Sequence, residues 1–332
     1  MPEGGFLSPA ITWRQGQFKG WDCYLIQTGS LELVLVPQVG GRVMGCSWNG
    51  YQLFFTQPER EGRLETVAST QDVRARKRAM GMPLWGGDKT WLAPQSRWTD
   101  GVPFLDLDSA PYDLQVKKSS EKKLIVEMKS HVCRETGMQI TRTLDLSSDT
   151  PGWRIRHRLQ NCSTAETEWE MWIVSMVLQP GRVFLPRSGI STYPDGVKTF
   201  VEEGESVAAR QSVVGELGSL AVIECMASKQ FKYGVDSREG WILGVLDAGD
   251  GLIGYRKEVP FFPEAIYAHG CVSEVFNSGE YSYLEMESHG PTRRLSPGES
   301  YEVEEEQSVF DVPKWPQSED EVRALLTRKE GV

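Results

Sequence analysis

The densest concentration of chemically competent side chains runs from Met82 to Trp98, through Trp85-Gly86-Gly87-Asp88-Lys89-Thr90-Trp91-Leu92-Ala93-Pro94-Gln95 and on to Arg97-Trp98. Three tryptophans, a glycine pair and several fixed polar side chains fall within these seventeen residues. Flat aromatic faces stack on the apolar C–H faces of a polyhydroxylated ring, while acid, amine and amide groups hydrogen-bond its hydroxyls. On that chemistry Trp85, Asp88, Lys89, Trp91 and Gln95 are candidate substrate-binding residues for a small carbohydrate. A second reading satisfies the same composition: Trp is usually largely buried, so the segment could be a loop packed over the core, with Asp88 and Lys89 paired at the surface. Gly and Pro break any helix or central strand here, and a loop is expected.

Arginines offer a second kind of chemistry. Arg42 follows the Gly40-Gly41 pair, where the missing Cβ atoms let backbone approach a ligand. Arg154, Arg156 and Arg158 alternate with Trp153, Ile155, His157 and Leu159, so they share one strand face. Such a row is ordinarily solvated and matched by neighbouring acids. Lining a groove instead, it would favour an anionic ligand such as a uronate or sugar phosphate, and Arg156 is its candidate binding residue.

The chain has 332 residues, a formal net charge of −10, 39% hydrophobic and 25% charged residues, the composition of a soluble globular protein. Binding a polyanion needs a basic footprint, so neither nucleic acid nor an anionic membrane is expected as partner. The basic run Arg74–Arg78 lies in a mixed-charge stretch and reads as a solvated loop. Residues 1–7 lack a basic region followed by an apolar run, and no stretch approaches the roughly 18 apolar residues of a membrane span. The six cysteines are scattered and contain no Cys-x-x-Cys pair, which suits buried free thiols in a reducing compartment; the cytoplasm is the expected location. His131, His157, His269 and His289 have no metal-ligand spacing among themselves or with the cysteines, so no metal site is expected. No cofactor is expected either, for want of a dinucleotide or P-loop glycine motif. Oligomeric state is not legible.

The elements that must position these groups are mostly strands. Leu31–Val36, Lys123–Met128, Met138–Leu144, Trp153–Leu159, Glu168–Val174, Leu220–Glu224, Trp241–Leu246, Tyr281–Glu287 and a run from Tyr301 carry strand signals, with period-two alternation clearest at 138–144 and 153–159. Asn-Gly, Asp-Gly, Ser-Gly and Pro-Gly turns separate them. Many strands, short turns and almost no helical period argue for an all-β, large antiparallel sandwich spanning 21–312, after an N-terminal extension (1–20). The tail, 313–332, is the exception: Ser318-Glu319-Asp320-Glu321 matches a capping box, and Val322, Leu325 and Leu326 follow at helical spacing, predicting a short C-terminal helix docked on the sandwich. Residues 58–80 carry no clear signal and read as a lid or a plain surface loop.

Several segments, in order, resemble the galactose mutarotase-like supersandwich, and in particular its DUF4380-type branch related to aldose 1-epimerases. They are Val36-Pro-Gln-Val-Gly-Gly-Arg-Val-Met44, Trp85 to Gln95, Arg156 to Asn161, Trp172 to Gly181, Phe231-Lys-Tyr-Gly234, Tyr283 to Pro291, and Leu295 to Glu299. The resemblance implies acid–base opening and reclosure of a sugar hemiacetal, a carboxylate taking the anomeric proton while a histidine protonates the ring oxygen. The family's carboxylate lies on a late strand in a Leu-Glu context, which falls on Glu285 and Glu287; as i and i+2 residues they share a face, either toward the groove or toward solvent.

The family histidines are not matched. Asn161 is followed by Cys-Ser-Thr, and Trp172 and Ser175 stand where the second histidine would be sought. His157 faces the apolar side of its strand, as a hydrogen-bonded core histidine does. His269, in the loop before the Glu strand, is the best remaining acid candidate, and His289 is next. Three functions fit: an aldose 1-epimerase (mutarotase)-type isomerase acting on a free sugar, sugar acid or sugar phosphate; a non-catalytic carbohydrate-binding sandwich; and a uronate-directed polysaccharide lyase. Fold alone does not choose among them.

Overall fold

The computed structural model describes residues 9–65, 73–148, 152–200, 213–226 and 229–327. Two large antiparallel sheets face each other. The first runs Thr12–Phe18, Trp21–Thr28, Leu31–Val36, Arg42–Trp48, Asp88–Ala93, Thr167–Leu178, Tyr283–His289, Ser273–Asn277, Phe231–Val235 and Lys198–Thr199, with Tyr51–Gln52 and Arg293–Leu295 paired off this path. The second runs Val214–Leu217, Leu220–Cys225, Gly181–Pro186, Trp241–Asp247, Leu252–Glu258, Ser300–Val312, Trp153–Asn161, Met138–Ser147, Lys123–Lys129 and Asp113–Ser120. This is the expected antiparallel supersandwich. Inward residues from both sheets, among them Leu33, Leu92, Ile173, Leu284, Leu144, Ile155 and Ile242, form one continuous hydrophobic core.

Alternation decides which side chains reach that core. Along Trp153–Asn161, Trp153, Ile155, His157 and Leu159 are buried while Arg154, Arg156 and Arg158 are exposed. Two of them meet acids of the neighbouring Ser300–Val312 strand, Arg154 pairing with Glu306 at 2.9 Å and Arg156 with Glu304 at 3.2 Å, while Arg158 donates to Ser300 Oγ at 3.1 Å.

Two loop expectations give way to regular structure. Asp88–Ala93 is a central strand, flanked by Arg42–Trp48 and Thr167–Leu178, and all six of its residues are buried. A strand covered on both faces has no polar face to alternate with, so the period-two signal vanished. Gly86-Gly87 and Pro94 bound the strand rather than interrupt it. Residues 66–72 lie outside the described residues, but the basic run beside them is a helix, Val73–Met80, not a solvated loop. Its Lys77 is fully buried, with Nζ 4.8 Å from the Phe104 ring centre and 3.4 Å from Glu135.

The C-terminal helix forms over Glu319–Leu326, and Ser318 Oγ accepts a hydrogen bond from the Glu321 amide at 3.2 Å, as the capping signature predicts. Val322 and Leu325 pack on Phe184, Leu220, Trp241 and Leu243. All six cysteines are free, and only Cys162 is exposed. Among the described residues no helix is long and apolar enough to cross a membrane.

Candidate functional site

Five strands of the first sheet bring their odd-numbered or even-numbered side chains to one outer face. Directly opposed residues of an antiparallel pair project to the same side. Trp91 opposes Trp172, Lys89 opposes Val174, Trp172 opposes His289, Val174 opposes Glu287, Met176 opposes Glu285, and Glu287 and Glu285 in turn oppose Glu274 and Phe276. Lys232 completes the row opposite Phe276. The alternate residues of the same strands, Asp88, Thr90, Ser175 and Met286, turn inward between the sheets.

A cavity of about 640 Å³ opens on this face. Trp91, Trp98 and Trp172 form its aromatic wall, with ring centres 5.1–5.6 Å apart in edge-on and stacked pairs. Phe200, Phe276 and Tyr283 continue that wall, while Gln95, Lys198, Lys232, His269 and Glu285 supply polar groups. This size and mix of flat apolar surface with convergent polar groups suits a small, polyhydroxylated molecule.

Behind the wall lies a buried set of charges. Glu287 Oε2 accepts from Trp172 Nε1 at 2.6 Å and from Lys232 Nζ at 2.7 Å. Lys232 Nζ also lies 2.7 Å from Glu274 Oε2. Glu274 Oε1 lies 3.1 Å from His269 Nδ1 and 3.3 Å from His289 Nε2. His289 Nδ1 donates to Glu170 Oε1 at 2.6 Å, and Glu170 Oε2 is held by Thr292 Oγ1 at 3.0 Å and by the Ala268 amide.

These contacts set the protonation states. Burial, reinforced by the neighbouring Glu274 and Glu285 carboxylates, pushes Glu287 up to about 8 despite Lys232. Burial opposes charge on His289, but Glu274 and the Glu170 hydrogen bond outweigh it and raise the imidazole to about 10. Burial likewise works against Glu274, whose carboxyl is nevertheless held well below the usual range by Lys232 and His289. Two residues along the strand from Glu287, Glu285 pairs with Lys89 at 3.3 Å, and the Lys89 ammonium stands 4.1 Å over the Trp91 ring. Burial draws the Lys89 ammonium below its ordinary value.

The sequence-nominated residues therefore divide. Glu285, His269, Trp91 and Gln95 line the cavity. Glu287 and Lys89 are buried immediately behind it, Glu287 through Trp172 and Lys232, Lys89 through Glu285 and Trp91. Asp88 does not reach it: it is sealed between the sheets, paired with Arg142 and accepting from Ser175 Oγ at 2.6 Å. Trp85 is buried in a separate apolar cluster with Trp21, Val34 and Met44, its indole N–H on Ser109 Oγ at 2.9 Å. Arg156 lies on the solvent face of the other sheet, a side chain 51% exposed and paired with glutamates.

Arg42 is wholly buried, and its guanidinium donates to Asp108 Oδ1 at 2.5 Å and Gly86 O at 3.1 Å. Asp108 Oδ1 also accepts from Trp91 Nε1 at 2.6 Å, so Arg42 supports the aromatic wall from behind. The Gly40-Gly41 pair admits no ligand. A Cβ on Gly40 would fall 1.9 Å from Asp108 O, and one on Gly41 2.4 Å from the Tyr112 ring. The close approach that the glycines permit is of the chain to itself.

Glu274, Lys232, Trp172 and Glu170 were not nominated by sequence. Lys232 and Glu274 are single charges inside short β-forming runs, Phe231-Lys-Tyr-Gly-Val235 and Ser273-Glu-Val-Phe-Asn277. A lone charge in such a run is the available signal, since a buried charge needs a partner on an adjacent strand.

No family model matches the sequence, and no curated protein does, so placement in a DUF4380-type branch rests on the quoted motifs alone. Similarity to solved structures is clear at the level of fold. A galactose mutarotase-like protein from Clostridium acetobutylicum superposes with a TM-score of 0.53 at 13% identity, covering 91% of this chain and 99% of that one. A galactose mutarotase-like protein from Lactobacillus casei gives 0.55 at 9% identity, over 87% and 100% of the two chains. A candidate aldose 1-epimerase from Escherichia coli K12 gives 0.50 at 13% identity, over 91% and 100%. The fold is that of the galactose mutarotase-like proteins.

Proposed function

We propose that the protein binds a small carbohydrate in the aromatic cavity and catalyses aldose 1-epimerase-type interconversion of its anomers. The observation carrying this reading is that Glu285 and His269 border the same cavity as Trp91, Trp98 and Trp172. A sugar ring stacked on the indoles would present its anomeric hydroxyl and ring oxygen to groups able to move protons. Glu285, in its pair with Lys89, is the base that takes the anomeric proton. His269, its Nδ1 oriented by Glu274, is the acid that delivers a proton to the ring oxygen as the C1–O bond breaks. Rotation about C1–C2 of the open aldehyde and attack of the ring hydroxyl on its other face return the opposite anomer, each group then working in reverse. The neighbours described as mutarotase-like and as an epimerase candidate support this chemistry.

One observation favours a binding-only role. Glu285, the one candidate base left once Glu287 is committed to Trp172 and Lys232, is itself held in an ion pair with Lys89 at 3.3 Å. The uronate-lyase reading has lost its arginine row, which faces solvent on the opposite sheet.

The test is a thermal-shift panel of neutral aldoses, uronates and sugar phosphates, followed by NMR exchange between anomers of the best stabiliser. Accelerated exchange that falls about 100-fold or more in Glu285→Gln, with affinity retained, is the expected result. Stabilisation without acceleration would leave the binding module, and no stabilisation by any sugar would overturn both.

A further inference from the structure

The three side chains His269, Glu274 and His289 come from a loop and two adjacent strands, yet their ligand-type atoms all lie within 4.8 Å of one another. Sequence spacing predicted no metal site because the residues follow no short local motif. The sheet makes the constellation by pairing Glu274 with Glu287, two residues before His289, and by folding the loop that carries His269 over both.

We propose that His269 Nδ1, Glu274 Oε1 and His289 Nε2 form a binding site for one divalent transition-metal ion, of the Zn²⁺ type, in the cavity wall. Glu274 Oε1 lies 3.1 and 3.3 Å from the two imidazole nitrogens, near the edge of about 3.3 Å of a tetrahedron with metal–ligand bonds of roughly 2.0 Å, and with all three atoms within 4.8 Å the imidazoles need only draw together as an ion enters. Two imidazoles and one carboxylate are a donor set that borderline transition ions accept while keeping a position open.

Independent features point the same way. His289 is wholly buried, and its Nε2 makes no aligned hydrogen bond, although it faces Glu274. Its other nitrogen is fixed on Glu170, the carboxylate–histidine arrangement that orients a metal-bound imidazole. Lys232 occupies Glu274 Oε2 and leaves Oε1 for the ion. His269 lines the cavity, which places the open coordination position within reach of a bound molecule.

This inference does not rest on the carbohydrate reading, but it bears on its chemistry: with an ion bound, His269 would be a ligand rather than the free acid, and the ion would supply Lewis-acid polarisation in its place.

Zinc chloride titrated calorimetrically into the chelator-treated full chain, without sugar, tests it. Saturable binding of one ion per chain is expected. His269→Gln and His289→Gln should each weaken it at least 100-fold, and Glu170→Gln by 10- to 100-fold. Absence of saturable binding up to 100 µM zinc (about the weakest affinity worth calling a site), or unchanged affinity in the His269→Gln/His289→Gln double variant, would overturn the proposal. Should His289→Gln fail to fold, His269→Gln, altered at the cavity wall, carries the same decision. Sugar stabilisation measured in chelator reports on the carbohydrate reading alone, so either idea can fail without the other.

Discussion

Glu274 and Glu287 stand opposite one another on adjacent antiparallel strands, and the single ammonium of Lys232 lies 2.7 Å from an oxygen of each. Glu287, raised to about 8, is chiefly the neutral acid near pH 7, so the charge of the pair sits on Glu274, and Lys232 compensates it together with His289. Removing Lys232 leaves that buried charge with only one of its two cationic partners. Lys232→Met, which keeps the aliphatic stem, should destabilise the fold by about 3 kcal/mol in urea or thermal unfolding. A loss under about 0.5 kcal/mol would mean that the acids do not depend on it.

Trp91 is held by an indole hydrogen bond to Asp108, which Arg42 holds in turn. Trp91→Ala should therefore weaken binding of the best sugar roughly tenfold or more, read as a smaller ligand-induced rise in Tm. Arg156→Ala, on the far sheet, should leave that rise unchanged. If the two variants behaved alike, the cavity would not be the binding site.

Gly40 sits at φ +61° with its Cα hydrogen aimed at the Asp108 carbonyl. Ala there adds both left-handed strain and a backbone overlap, so Gly40→Ala should cost about 3 kcal/mol or fail to fold. Gly50 also has a positive φ, +84°, but nothing within 4 Å of its would-be Cβ. Gly50→Ala should cost only about 1 kcal/mol, and equal losses at both sites would refute the packing argument.

His157 is buried between the sheets, hydrogen-bonded to Thr90 Oγ1 at 2.8 Å. Burial, with the Arg142 guanidinium nearby, holds its imidazole well below the ordinary value. The folded state thus resists a proton that the unfolded chain accepts below about pH 6.5. This contribution to stability is full above that pH and erodes as pH falls below it, by up to about 1.4 kcal/mol per unit. Glu287 and His289, both raised in the fold, act in the opposite sense, so the slope is read as the difference between the denaturant midpoints of the wild type and His157→Gln from pH 7.5 to 5. An unchanged slope in the variant would assign the loss to other groups.

Much of the fold was legible locally. The alternation along Trp153–Leu159 marked which side of that strand packs on the core, because the two-residue period of a strand is a backbone property. The tail helix was written in Ser318, Glu321, Val322 and Leu325, since capping and helical spacing act within a single turn or two. The strand Asp88–Ala93, inside the Trp-rich segment, was not legible, because burial on both faces erases the pattern that marks strands.

The site lay further out of reach. Its chemistry depends on which residues stand side by side across neighbouring strands, and registers such as Trp91 with Trp172 or Glu274 with Glu287 join positions far apart in the chain. The sequence by itself determined the antiparallel architecture, the acidic surface and the candidates Glu285, His269, Trp91 and Gln95. Tertiary structure alone decided that Asp88, Trp85 and Arg42 serve the interior, that Arg156 faces solvent, and that Lys232, Glu274 and His289 converge. Local propensity and periodicity are carried by neighbours along the chain, whereas burial and charge pairing are settled only when sheet register brings distant groups within a few ångströms.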